Sequence, residues 1–169
     1  STGIPFVEVP QMDARQPSTS FKERGRSRFH VDLLVPSAGE DFQVVPVPEL
    51  QAHATALPYL SYLLADSQMS LLMAREGCCM VRVPLPERFA LHKLMVSQLR
   101  ANRGGKSEKD LFQAAVLLAV LGEKHPGAIE EALRRVPLSI LGRLQCAVGQ
   151  VRHLLESDHP RAWEELNPE

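Results

Sequence analysis

Apolar and polar residues trade places at short intervals through the first half of the chain, and at intervals of three and four through the second. The first pattern predicts strands and the second helices. Ile4–Val9 is a short apolar run ended by Pro10 and reads as a weak strand. Residues 11–20 are polar, hold Pro17 and read as loop. Phe29–Val35 is the strongest strand, rich in β-formers. A turn through Pro36–Asp41 leads to a second strand, Phe42–Val47, so the two are expected to form a hairpin. Pro46 inside the second strand argues for a sheet edge. Residues 48–64 carry Leu57, Leu60, Leu63 and Leu64 at helical spacing and predict a short helix. Met69–Ala74 and Cys78–Val83 flank a turn at Gly77 and predict a second hairpin, closed by Pro84 and Pro86.

From Glu87 onward the period is helical. Four helices are expected, over 87–100, 107–121, 126–135 and 137–156. Ser107 is placed to cap the second, with Asp110 three residues on. That helix is apolar nearly all round, which predicts burial on most sides. Pro126 and Pro137 suit the first positions of the third and fourth. The fourth carries a stripe, Leu141, Leu144, Val148, Val151 and Leu155, that must pack on other helices of the chain or form a homodimer seam through 137–156. The fold class that follows is α+β. A small mixed or antiparallel sheet of two hairpins, residues 1–86, precedes a helical C-terminal region, residues 87–169.

Composition narrows the setting. An apolar fraction of 44% and a charged fraction of 23% over 169 residues are those of a globular chain. A net charge of −1 gives no overall field to draw in nucleic acid or an anionic membrane. The three cysteines, two of them adjacent, make a poor disulfide framework and predict reduced thiols in a cytoplasmic protein. No apolar run reaches the roughly 20 residues of a membrane span, and residues 1–10 do not read as a signal peptide.

Asp32 stands out because it interrupts an apolar strand. Alternation puts His30, Asp32 and Leu34 on one face. A carboxylate there must be paired, solvated at a cleft or bound to metal. It reads either as a metal-ligating or general-base group, or as an edge carboxylate satisfied by a cation such as Arg28. Lys93, Ser97 and Arg100 share a helix face that would suit phosphates or simply face solvent. Arg100, Arg103, Lys106 and Lys109 surround Gly104-Gly105. Against Glu108 and Asp110, these four cations leave the segment at +2. Such a loop could cradle a phosphate or merely join two helices. The six histidines are scattered, and no nucleophile-elbow motif occurs.

At these residues the chain resembles bacterial nucleotidyltransferase-like proteins of the DNA polymerase β-like superfamily. The resemblance rests on Pro17-Ser-Thr-Ser-Phe-Lys22 and Phe29-His-Val-Asp-Leu-Leu-Val-Pro36. It continues through Val81-Arg-Val-Pro-Leu-Pro-Glu-Arg-Phe-Ala-Leu-His-Lys-Leu94 and Lys106-Ser-Glu-Lys-Asp-Leu-Phe-Gln-Ala114. It covers about residues 17–122. It implies transfer of a nucleotidyl group from an NTP to an acceptor, with magnesium ions held by three carboxylates. By that resemblance Asp32 is the third, metal-binding and catalytic carboxylate. Lys93 is the lysine facing nucleotide or acceptor; Arg100 and Lys106, from the basic cluster, are the further candidate substrate-binding cations. Asp110 matches a later acidic position.

The pattern's Gly-Ser turn and its Asp-x-Asp or Asp-x-Glu strand do not occur in this sequence. They are expected before Ser1, so the chain reads either as the C-terminal part of such a protein or as a degenerate member of the family, and alone it is expected to be inactive and metal-free. Two other readings stand beside this one. A non-catalytic interaction module is suggested by the stripe of the fourth helix. A nucleic-acid-binding accessory module is suggested by the basic patches at 22–28 and 100–109.

Overall fold

A computed structural model of the protein describes residues 5–11, 13, 15–25, 29–37, 39, 41–75, 77–99 and 105–168. It is an α+β chain in two compact units, Ser1–Leu60 and Ser61–Glu169. The turn from strands to helices comes at Pro86, as the period predicts.

The first unit holds two three-stranded sheets. β1 (Phe6–Glu8), β2 (Ser20–Glu23) and β3 (His30–Asp32) form one, antiparallel in the order β1-β2-β3. β4 (Leu34–Pro36), β5 (Gln43–Val47) and β6 (Ala52–Leu57) form the other, in the order β4-β6-β5. The single strand expected over 29–35 is therefore two short ones in different sheets, with Leu33 between them. Leu33 N–H donates to Thr19 O at 2.9 Å, and Thr55 N–H donates to Leu33 O at 2.8 Å. One residue thus serves both sheets.

The expected hairpin of 29–35 with 42–47 does not form. β4 runs parallel to β6, and β5 pairs antiparallel with β6, Val45 opposite Ala54. The strand that takes the centre of the sheet, β6, lies in the segment expected to be helical. Its run Ala52-His-Ala-Thr-Ala-Leu57 has few β-branched residues, so pairing on both sides overrides a weak local preference. Ala54, Ala56 and Leu57 are buried. Only residues 48–50, a single 3-10 turn, and α1 (Leu60–Leu64) match the helical reading there. Pro46 does lie on an edge strand, as expected.

A buried polar knot binds the first unit. Thr55 Oγ1 donates to Thr19 Oγ1 at 2.9 Å, and Gln11 Nε2 donates to the same oxygen at 2.9 Å. Ser18 Oγ lies 2.7 Å from the carbonyl oxygens of Val9 and Ser20. Ser18 and Thr19 are buried, so these bonds remove a desolvation cost that unpaired hydroxyls would carry.

The second unit opens with a hairpin, β7 (Ser67–Ala74) and β8 (Gly77–Pro84), in full register from Ser67 opposite Pro84 to Ala74 opposite Gly77. Then come α2 (Pro86–Leu99), α3 (Lys106–Lys124), α4 (Ala128–Leu133), α5 (Leu141–Leu155) and α6 (Pro160–Leu166). α2 packs along α3, and α5 and α6 close on that pair. The core is Leu91, Leu94, Met95, Leu118, Ile129, Ile140, Val151 and Leu155. Leu144, Val148, Val151 and Leu155 of the α5 stripe are buried, against α2, α3 and α6 of the same unit. α3 is less enclosed than its composition suggests, because Phe112, Val116 and Val120 form an exposed row at i, i+4 and i+8.

Three local expectations are corrected. Ser107 does not cap α3: Gly105 holds that position, and the Ser107 hydroxyl donates to Ser97 O of α2 at 3.0 Å. α4 starts at Ala128 rather than Pro126, because Gly127 takes a left-handed φ of 85° that begins the helix one residue later. α6 went unpredicted, although Pro160 marks its start. It docks by two specific contacts. The Glu165 carboxylate accepts from Gly127 N at 2.8 Å and Ile129 N at 3.2 Å, which satisfies amides at the start of α4. Gly122 faces Ala162 so closely that a Cβ there would lie 2.6 Å from the Ala162 nitrogen. The three cysteines are free and exposed, and no described helix is long and apolar enough to cross a membrane.

Two substitutions test this packing by urea unfolding. Val148→Asp puts a carboxylate in place of a buried valine and is expected to cost at least about 2 kcal/mol, whereas Cys146→Asp two residues away, on the exposed face, is expected to stay within about 0.5 kcal/mol. Gly122→Ala is expected to cost about 1–3 kcal/mol by forcing α6 away from α3.

Candidate functional site

Asp32 ends β3 and sits directly opposite Ser20 on β2. The Ser20 hydroxyl donates to Asp32 Oδ1. On the same face, two residues back, His30 Nε2 lies 3.9 Å from Asp32 Oδ2. Lys22 stands opposite His30 in the same register. One face of the β2–β3 ladder therefore carries Ser20, Lys22, His30 and Asp32. The other carries Phe21 and Val31, with Phe29 edge-on to Phe6 at 6.1 Å between ring centres. The Asp32 side chain is about half exposed. The strand thus solves the burial problem posed by its apolar sequence by ending, at Asp32, where solvent and a serine hydroxyl are both available. Arg28, the cation considered for it, lies outside the described residues.

Lys93 is placed differently from its sequence reading. Lys93 Nζ lies 2.7 Å from Asp110 Oδ1, in an ion pair that joins α2 to α3. The Asp110 side chain is only 5% exposed and that of Lys93 is 22% exposed. Lys93 also lies 5.4 Å above the Phe89 ring. Ser97, expected on a phosphate-facing stripe with Lys93, is fully buried and donates to Leu94 O at 2.7 Å. Lys106, the first residue of α3, is exposed. Arg100, Arg103 and Gly104 lie outside the described residues.

Arg88 was missed. It sits within the Pro86-Glu-Arg-Phe motif yet is 4% exposed. Its Nη1 donates to Tyr62 O at 2.7 Å, its Nη2 pairs with Asp66, and its guanidinium lies 4.9 Å over the Tyr62 ring. Arg135 reaches the same Asp66 at 3.4 Å. Tyr62 in turn donates its hydroxyl to Ala132 O at 3.0 Å, and burial pushes the Tyr62 phenol up. An arginine flanked by a helix-initiating proline and an acid looks solvated in sequence. Only the return of Tyr62 and Asp66 to its side makes it a core residue. A hollow of about 440 Å³ lies between α4, α5 and α6 and is lined by Leu144, Val148, Arg152 and Trp163. None of Asp32, Lys93 or Lys106 lines it.

With this geometry in place, a family model described as nucleotidyltransferase matches residues 1–137. That span is most of the chain and includes Asp32, Lys93 and Lys106, so the chain belongs to this nucleotidyltransferase family. No curated protein and no solved structure matches it. Asp32, an exposed carboxylate, has the chemistry of one magnesium ligand. Among the described residues, however, no group of three His, Cys, Asp or Glu side chains could hold an ion, so they do not fit a two-ion site on their own.

The Lys93–Asp110 pair makes a stability prediction. Lys93→Met removes the ion pair that joins α2 to α3 and is expected to lower unfolding stability by about 1–3 kcal/mol, less than for a fully buried pair because Lys93 keeps some solvent. Lys106→Met is expected to change it by less than about 0.5 kcal/mol. Equal urea midpoints for parent and Lys93→Met would return Lys93 to the ligand-facing role.

Proposed function

We propose that this chain serves NTP-dependent nucleotidyl transfer to an acceptor, contributing Asp32 to a reacting site completed by a Gly-Ser turn and paired carboxylates from outside these residues. The observation that carries the proposal is Asp32 itself: an accessible carboxylate at a strand end, oriented by Ser20 across the ladder, inside the span that the family covers. Magnesium is the ion this chemistry uses, bound only when the other carboxylates are present. Lys106, exposed at the start of a 19-residue helix, suits an NTP phosphate, because cations and helix-start amides both favour anions. Arg100 belongs to the same cluster in sequence. Lys93 holds α2 to α3 through Asp110.

A second reading, a non-catalytic interaction module, draws on the exposed apolar residues of β7 and β8. The two readings can hold together, since they use different residues.

Transfer of label from α-labelled NTP with magnesium tests the proposal. The 169-residue chain alone is expected to transfer none, because the reaction needs its ions held by more than one carboxylate. Supplied with a segment bearing the Gly-Ser turn and the paired carboxylates, it is expected to transfer label, and Asp32→Asn is expected to cut that rate on the order of 100-fold or more. Transfer by the chain alone, abolished by Asp32→Asn, would contradict the need for a second contributor. A completed system indifferent to Asp32→Asn would remove Asp32 from the site.

A further inference from the structure

The hairpin of β7 and β8 concentrates the sulfur of the chain. Of five methionines, Met69, Met73 and Met80 lie on its strands, and so do Cys78 and Cys79 of the three cysteines. Neither strand holds an Asp, a Glu or a His.

The register sorts these sulfurs by face. Met73 stands directly opposite Cys78, and Leu71 opposite Met80. Side chains alternate between the two faces of a ladder, so Met73, Cys78 and Met80 share one face. Cys79, opposite Leu72, belongs to the other. Residues directly opposite in an antiparallel pair have Cβ atoms about 4.5–5.5 Å apart, and diagonal ones about 7–8 Å. Met73 and Cys78 are of the first kind, and Met73 and Met80 of the second. Met73 and Met80 are each more than half exposed, and Cys78 is exposed. No packing therefore holds the three sulfurs apart, and an unbranched methionine with three rotatable bonds spans such gaps.

We propose that Met73, Cys78 and Met80 form a site for a soft monovalent metal ion, Cu(I), held by one thiolate and two thioethers. Cysteine and methionine sulfur favour Cu(I). Zinc takes four ligands drawn from Cys, His, Asp and Glu, and this face offers it only Cys78. Magnesium takes oxygen ligands, and neither strand supplies a carboxylate. The site is therefore separate from Asp32 in both residues and chemistry. The thiolate is the ligand form, so binding releases the Cys78 proton to solvent and leaves a neutral complex. Arg82, the only charged residue on the two strands, reaches Ser67 Oγ at 3.5 Å, toward the end of the hairpin away from the turn. The ion has a structural consequence as well. It ties Met73 of β7 to Cys78 and Met80 of β8, and so clips the turn end of a ladder whose two strands pair only with each other. A two-stranded ladder is marginal in water.

Two measurements on the full chain test this. In the first, Cu(I) kept reduced by ascorbate under argon is shared between the chain and bicinchoninate. In the second, Ag(I), a redox-inert stand-in, is titrated while the methionine methyl groups are followed by nuclear magnetic resonance. One ion per chain is expected. The Met73 and Met80 methyl resonances are expected to move and that of the buried Met95 to stay, while amide exchange along β7 and β8 slows. Losing a residue that merely orients a metal ligand costs about 10–100-fold in affinity. Cys78→Ser removes the anionic ligand itself and is expected to weaken Cu(I) at least about 100-fold, and Met73→Leu and Met80→Leu about tenfold each. Cys79→Ser is expected to match the parent. A chain that takes up no Cu(I) against bicinchoninate overturns the proposal. So does Ag(I) uptake that leaves the Met73 and Met80 methyls unmoved, a result that does not depend on how any variant folds. Binding that survives Cys78→Ser, or a metal-linked dimer lost in Cys79→Ser, overturns it as well.

Discussion

Leu33 gives its N–H to one sheet and its C=O to the other, and the architecture around Asp32 follows from that double use. A strand can leave one sheet and enter another only where its pairing partners change. Here Thr19 stands at the end of the first ladder and Thr55 at the middle of the second. Their hydroxyls are joined to each other and to Gln11. The junction is therefore fixed by main chain and side chain together. Asp32 is the last residue before it, held in the antiparallel register that sets it against Ser20.

The same economy runs through the helical unit. Its charged residues are placed where they tie segments together. Lys93 and Asp110 join α2 to α3, Glu165 satisfies the start of α4, and Arg88 fastens Tyr62 and Asp66 to α2. Each is part of an exchange in which a buried polar group finds a specific partner, since leaving it without one costs more than the bond itself contributes. The hairpin stands apart from this economy. Its residues Met69, Leu71, Leu72, Met73 and Met80 are each more than half exposed.

The sequence was most legible where periodicity and punctuation agree. The second hairpin, with Gly77 at its turn, and the span of α2 lie within a residue or two of their expected bounds. Legibility failed where tertiary pairing outvoted local pattern. Nothing in Ala52-His-Ala-Thr-Ala-Leu57 announces a central strand, and of the four leucines at helical spacing Leu60, Leu63 and Leu64 do form the short helix α1 while Leu57 ends the strand. Strands 29–35 and 42–47 are close in sequence and each is sound by itself. Proximity alone suggests a hairpin, but β6 lies between β4 and β5. For the candidate site, Asp32 could be singled out because a carboxylate in an apolar run needs an explanation. The roles of Lys93 and Arg88 could not be read, because whether a cation faces a phosphate or a buried acid depends on what another helix or loop brings to it.

The central claim is that Asp32 is an accessible, serine-held carboxylate that cannot by itself assemble a two-ion site. Titration of the chain with manganese as a paramagnetic substitute for magnesium, followed by nuclear magnetic resonance, addresses it most directly. The account expects broadening centred on residues 20–22 and 30–32, without saturation below about 1 mM, a weak association typical of a single exposed carboxylate. Saturable binding of two ions at micromolar concentration, lost in Asp32→Asn, would contradict it.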